Sequence, residues 1–266
     1  SRLNYLRQNR TSNNFTNNNI KLDFDNTLLA SLMETIPIST YTQPNFVPDD
    51  WSLWSEGSIS VSKIGDGGSS ENTPKETDSQ SVAFGFDKKI NESDLLGFAI
   101  QYGLSDADVG TDGTGIDTES LSLTIYRTKP FDNNNFMQGL IGFGIIESDS
   151  VRKSSGNTLT GSRNGNQLFG SINYGKTFGQ GEFNATPIVR LDLGYTELDS
   201  YTETGTDALS YSNQTFESAL GSIGMEINDV IKFSDSSLKP FGVIEYSLDF
   251  SNSSDVKMNY VSDTAT

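Results

Sequence analysis

The chain has 266 residues, with 35 acidic against 18 basic side chains and neither histidine nor cysteine. A net charge of −17 gives no positive footprint for nucleic acid. Without His or Cys there is no Ser-His-Asp or Cys-His nucleophile pair, no thiolate metal site, few routes to a zinc site and no histidine general base, and no catalytic residue, metal ligand or cofactor is expected.

In chain order, residues 1–50 stand apart. The chain starts at Ser1 without a signal-peptide pattern and reads as an excised piece of something longer. Asn is frequent from Asn4 to Asn26, which suggests a solvated or extended linker. Asp25 or Asn26 suits the cap of a short helix over Thr27–Thr35, with Leu28, Leu29, Leu32 and Met33 along one side. Pro37, Pro44 and Pro48 then break regular structure before Trp51.

From Trp51 onward the chain is a series of alternating apolar and polar runs. They fall near 51–62, 80–88, 94–105, 118–128, 135–149, 165–178, 182–197, 211–228 and 238–250, about nine strands. The clearest run places Phe183, Ala185, Pro187, Val189, Leu191, Leu193 and Tyr195 on one face. Asn184, Thr186, Ile188, Arg190, Asp192, Gly194 and Thr196 occupy the other, because successive strand side chains point to opposite faces. The same split sets Leu96, Phe98, Ile100, Tyr102 and Leu104 against Leu95, Gly97, Ala99, Gln101 and Gly103. It also separates Val82, Phe84 and Phe86 from Ala83, Gly85 and Asp87.

Most of these runs reach ten residues or more. Soluble strands average about five or six, and a tilted membrane-spanning strand needs about 9–11. Mean hydropathy is −0.43, but alternation hides a membrane strand from a hydropathy scan. The connections also alternate. Lys63–Ser79, Asp106–Asp117, Ser150–Asn164 and Asp199–Ser210 are long; Lys89–Ser93, Lys129–Asn134 and Gly179–Gly181 are short; Asp229–Ser237 is intermediate. That parity fits an all-β, antiparallel up-and-down transmembrane barrel, with short periplasmic turns and longer extracellular loops.

In such a barrel Trp54, Glu56, Asp87, Gln101, Tyr126, Arg190 and Asp192 face the lumen. They are read as a polar pore lining or as a charge network that fills the interior, with Arg190 and Asp192 close enough to pair. Asp106, Asp108, Asp112 and Asp117 lack EF-hand spacing and are read as a solvated loop. Gly65, Gly67 and Gly68 lack the Lys-Ser/Thr ending of a phosphate loop.

Three segments carry a family likeness: the linker with Arg2–Arg7, the tryptophan-containing run Trp51–Ser60, and the block Val82–Asp108. Within that block Gly85, Phe86 and Asp87 are followed by a short turn and then by Leu96, Gly97, Phe98 and Ala99. Over roughly Trp51 to Phe250 the chain resembles the C-terminal β-barrel translocator domain of autotransporters, the type V secretion proteins. The resemblance implies a barrel of about twelve strands with the linker helix in its lumen. It implies residues 1–50 as the threading linker and 51–266 as a barrel lacking about two or three C-terminal strands. It places the protein in a Gram-negative outer membrane, as an anchor and translocator that helps export an N-terminal passenger to the cell surface. The implied partners are outer-membrane lipid, the passenger and the barrel-assembly machinery. The family also includes members that release the passenger at a luminal asparagine, and the Asn tract offers that residue type. Two alternatives are kept: an outer-membrane porin, which should not carry a helix-forming linker before its first strand, and a soluble β-sandwich binding module, which would bury its apolar faces between two sheets.

Overall fold

The alternating runs become long antiparallel strands. The computed structural model describes residues 38–42, 48, 50–64, 75–91, 94–131, 134–180, 182–233, 237–251 and 254–262. Its strands are β1 (Ile38–Thr42), β2 (Trp51–Ile64), β3 (Lys75–Lys89), β4 (Leu95–Val109), β5 (Thr114–Pro130), β6 (Asn135–Ser154), β7 (Asn157–Lys176), β8 (Phe178–Gln180) and β9 (Phe183–Leu198). They continue with β10 (Tyr201–Thr202), β11 (Leu209–Tyr211), β12 (Gln214–Asn228), β13 (Ile231–Lys232), β14 (Ser237–Leu238), β15 (Phe241–Asp249) and β16 (Met258–Tyr260). All nine expected strands are present, as β2, β3, β4, β5, β6, β7 with β8, β9, β12 and β15.

The main sheet follows chain order, β1-β2-β3-β4-β5-β6-β7-β9-β12-β15, with β8 also on β9. Neighbours in sequence are neighbours in space, the up-and-down pattern. Among the described residues β1 and β15 are its two edges. The β7 ladder to β9 stops at Gly175↔Ile188, and β8 resumes at Phe178↔Ala185 in the same register. Lys176 and Thr177 thus pass Pro187, which has no N–H for the ladder.

Three expectations are corrected or displaced. Two connections read as long loops are instead paired strand. β4 and β5 extend to Val109 and Thr114, leaving only residues 110–113 as a turn. β6 and β7 run to Ser154 and Asn157. Their link, Ser155 and Gly156, has φ of 49° and 82°, the paired positive values that a two-residue hairpin turn requires. The backbone ladder needs no hydrophobic alternation, so the strands continue after the apolar pattern stops. The region before Trp51 also holds regular structure despite its prolines: β1 pairs antiparallel with β2, Ile38 opposite Gly57 and Thr42 opposite Leu53. The expected helix over 27–35 lies outside the described residues.

The burial pattern is inverted relative to a water-soluble domain. One face of the sheet is apolar and exposed: Phe84, Phe86, Ile100, Leu123, Ile125, Ile141, Phe143, Leu168, Val189, Leu193 and Ile223 all lie on it. Leu123 remains 57% exposed and Val189 57%. The opposite face is polar and buried, with Asp87, Gln138, Asp192 and Glu226 among the largest fully buried side chains. Burying one Leu or Phe side chain is worth about 1.5–3 kcal/mol in water. A continuous belt that leaves its apolar residues outward is stable only where lipid covers it. Among the described residues no helix lies against the polar face, and the small sheet β10-β11-β16 covers it only at the tall end. Away from that end, its burial comes from the main sheet curling so that inward side chains of different strands meet, as Trp54 meets Tyr126.

Candidate functional site

The concave face carries three linked groups of side chains. The first sits at the short-turn end. Trp54 on β2 donates its indole N–H to the Tyr126 hydroxyl at 2.7 Å and to Asp87 Oδ1 at 3.3 Å. The Tyr126 hydroxyl in turn donates to Asp87. The rings of Trp54 and Tyr126 meet at 6.3 Å between centroids, tilted by 56°. These residues come from β2, β3 and β5, so the contact spans three inter-strand steps. Each ring lies over a glycine directly opposite on the next strand: Trp54 over Gly85, and Tyr126 over Gly97. A Cβ at either glycine would strike the ring. Leu95 completes this small core, with Ala83, Ala99 and Leu140 around it.

The second group is ionic. Arg190 Nε donates to Asp192 Oδ2 at 2.7 Å on its own strand, and Arg190 Nη2 donates to Glu245 Oε1 on β15 at 2.7 Å. Asp192 is 1% exposed. Its other oxygen, Oδ1, has no hydrogen-bond partner among the described residues. Gln101 belongs to a neutral chain, donating to Ser81 Oγ at 3.1 Å, while Ser81 pairs with Ser58 at 2.5 Å. Glu56 is half-buried on the same face, opposite Ala83.

The third group closes over the tall end. Arg152 faces inward from β6 and grips Glu203 bidentately, Nε to Oε1 at 2.8 Å and Nη2 to Oε2 at 2.6 Å. Glu203 also accepts the Leu209 N–H at 2.9 Å. The Arg152 guanidinium holds the Glu203 carboxyl below its usual range, against an opposing effect of burial. Tyr201 and Tyr211 stack at 4.5 Å, with Arg163 over Tyr201 at 5.5 Å. Burial pushes the Tyr211 hydroxyl up to about 12. β10, β11 and β16 form a small sheet here, and Thr204 bridges to Thr160 on β7. The β9–β12 connection is thereby folded across the inner side of the β6–β7 hairpin.

All seven residues singled out by sequence fall on the buried, polar face, but they do not form one site. Trp54, Asp87 and Tyr126 touch; Arg190 and Asp192 touch; Glu56 and Gln101 stand apart from both groups. Sequence reasoning missed Gln138, Glu226, Glu245, Arg152 and Glu203. Glu226 was within reach, because Ile223, Met225 and Ile227 alternate around it. Gln138 sits in a run whose glycines at 139, 142 and 144 blur the alternation. The Arg152–Glu203 pair joins positions 51 apart in sequence, which no local pattern reveals.

The comparisons agree with this geometry. Residues 53–266 match the family described as Autotransporter beta-domain. No curated protein matches the chain. Among solved structures, the translocator domain of the autotransporter NalP from Neisseria meningitidis superposes with a TM-score of 0.63 at 17% identity, over 80% of this chain and 74% of that one. The β-domain of the Bordetella autotransporter BrkA gives 0.56 at 14% identity, over 80% of this chain and 87% of that one. With its outward apolar belt, polar interior and up-and-down order, and with the family match over most of its length, the chain belongs to the autotransporter β-domain family, outer-membrane barrels of Gram-negative bacteria that anchor and translocate a surface passenger.

Proposed function

We propose that the concave face is the path the passenger takes, with Trp54, Glu56, Asp87, Gln101, Tyr126, Arg190 and Asp192 lining it. On this reading residues 1–50 are the linker that threads the lumen, and 51–266 build the barrel around it. Two features support the reading together: a carboxylate-rich inner wall, and a basic stretch over residues 1–22 at the start of the linker. Glu56, Asp87, Asp192, Glu226 and Glu245 share the inner face with one guanidinium at the same level among the described residues, Arg190. Residues 1–22 contain Arg2, Arg7, Arg10 and Lys21 and no acidic residue. Asp192 Oδ1, buried and without a hydrogen-bond partner among the described residues, is an acceptor that a donor on such a segment would satisfy. Charge-assisted hydrogen bonds of this kind hold a linker in place without a large apolar contact.

In this account the outer-membrane lipid solvates the apolar belt, the barrel-assembly machinery inserts the strands, and the domain performs no catalytic step. The test places a photo-crosslinking amino acid at Gln101, facing inward, and at Ile100, facing outward, in the full-length protein. Adducts to residues 1–50 or to passenger chain from position 101, with none from position 100, are expected. Equal capture from both positions, or none from 101, contradicts the reading.

A further inference from the structure

The outward surface is electrically polarised along the strands. At its short-turn end, three lysines on alternate strands stand over aromatic rings. Lys88 Nζ lies 5.4 Å from the Trp51 ring centroid, Lys129 Nζ 5.3 Å from that of Phe131, and Lys176 Nζ 5.1 Å from that of Phe178. Lys88 shares outward parity with exposed Phe86, Lys129 with Ile125, and Lys176 with Tyr174. The ammonium groups therefore mark the edge of the apolar belt, their stems lying along it and their heads at its rim. Lys88 reaches Asp50 only at 3.9 Å, and among the described residues Lys129 and Lys176 make no ion pair.

The other end of the same surface carries the opposite charge. Asp78, Asp106, Asp117 and Asp149 are successive register partners across β3, β4, β5 and β6, all exposed. Like charges directly opposite one another on a sheet are destabilising. An anionic headgroup is repelled from that edge and drawn to the lysine edge.

We propose that the lysine–aromatic rim binds the phosphate groups of anionic glycerophospholipids in the leaflet at the short-turn, periplasmic end. The rings supply the apolar seat at headgroup level and the ammonium groups supply charge and hydrogen-bond donors. A lysine at a membrane surface enriches anionic lipid beside it by about fivefold.

The chain has two tryptophans, Trp51 half-buried at this rim and Trp54 buried inside, so brominated lipids report directly on Trp51. The full-length protein is reconstituted in phosphatidylcholine vesicles containing a fixed fraction of brominated phosphatidylglycerol or of brominated phosphatidylcholine. A Trp51→Phe variant identifies the signal. The expected result is stronger quenching by the anionic lipid, equivalent to about fivefold local enrichment, which soluble glycerol phosphate does not relieve. The preference disappears in Lys88→Gln/Lys129→Gln/Lys176→Gln and survives in the corresponding triple Arg variant. Should the triple Gln variant fail to insert, Lys88→Gln alone reads the same site. Equal quenching by the two lipids in the parent protein overturns the proposal. So does a preference that persists without the lysines, or one abolished by soluble glycerol phosphate.

Discussion

Replacing Glu203 with alanine should release the β9–β12 connection from the β6–β7 hairpin. The Glu203 side chain is 2% exposed and that of Arg152 is 27% exposed. Removing Glu203 deletes both guanidinium bonds, orphans the Leu209 N–H and leaves Arg152 partly buried without its counter-charge. Breaking a fully buried pair costs about 3–5 kcal/mol; partial hydration of Arg152 places this one at the lower end, about 3 kcal/mol. That corresponds to roughly a hundredfold increase in local opening. The assay is amide hydrogen exchange at Thr204, whose N–H bonds to Thr160 O at 2.8 Å, and at Val261, bonded to Ala208 O at 3.0 Å. Both should exchange faster, while amides in the middle of β5 and β6 should not change. A second substitution, Arg152→Ala, should recover much of the loss, since the stranded charge is gone. The acid dependence has a definite sign. The folded-state value of Glu203 is lowered, chiefly by Arg152, so its contribution is intact above the ordinary carboxylate range near 4. It is lost only as pH falls through the lowered value. Tyr211 acts in the alkaline direction, its contribution present below about 10 and lost as pH rises toward about 12. If Thr204 exchange in Glu203→Ala stays within about threefold of the parent, the ion pair is not what holds the loop.

Other consequences follow from the inverted burial. Leu123→Lys, at a 57% exposed position, should destabilise the folded barrel by about 2–4 kcal/mol in lipid, measured by denaturant titration in vesicles; a neutral effect would mean that water, not lipid, surrounds it. Gly97→Leu should block close packing of Tyr126 against β4 and reduce the heat-resistant folded fraction on electrophoresis, whereas Gly242→Leu, where an added Cβ would meet nothing within 4 Å, should be milder. Arg190→Met should cost about 3 kcal/mol by leaving Asp192 and Glu245 without their shared cation, and Arg190→Met/Glu245→Gln should recover part of it in the same titration.

The strands and their facing were legible because lipid on one side and a polar interior on the other impose a strict period of two. From Phe183 to Tyr195 every odd residue assigned outward is on the apolar face, and Ile188, the one apolar exception, is buried against glycines 175 and 224. Strand ends were less legible. Above the belt both faces are wet, so Asp106, Asp117 and Ser150 look like loop while their backbones remain in the ladder. β1 was hidden because its flanking prolines argue against regular structure, yet five residues between them suffice to pair with β2. Of the concave face, Trp54, Glu56, Asp87, Gln101, Tyr126, Arg190 and Asp192 could be named from parity alone, while Glu226, Glu245, Arg152 and Glu203 were not. Their grouping could not, since Trp54 meets Tyr126 across a separation of 72 residues and Arg190 meets Glu245 across 55.

The most direct test of the account uses the absence of cysteine. Single cysteines placed in turn from Val189 to Tyr195, in full-length protein with any cysteine outside these 266 residues replaced by serine, would be probed with a charged, membrane-impermeant thiol reagent and with a lipid-soluble one. Positions 189, 191, 193 and 195 should react only with the lipid-soluble reagent and 190 and 194 with the charged one, while the buried position 192 should be protected from both. Charged-reagent labelling of 189, 191 and 193 would mean that the apolar face meets water, and the outer-membrane barrel described here would be wrong.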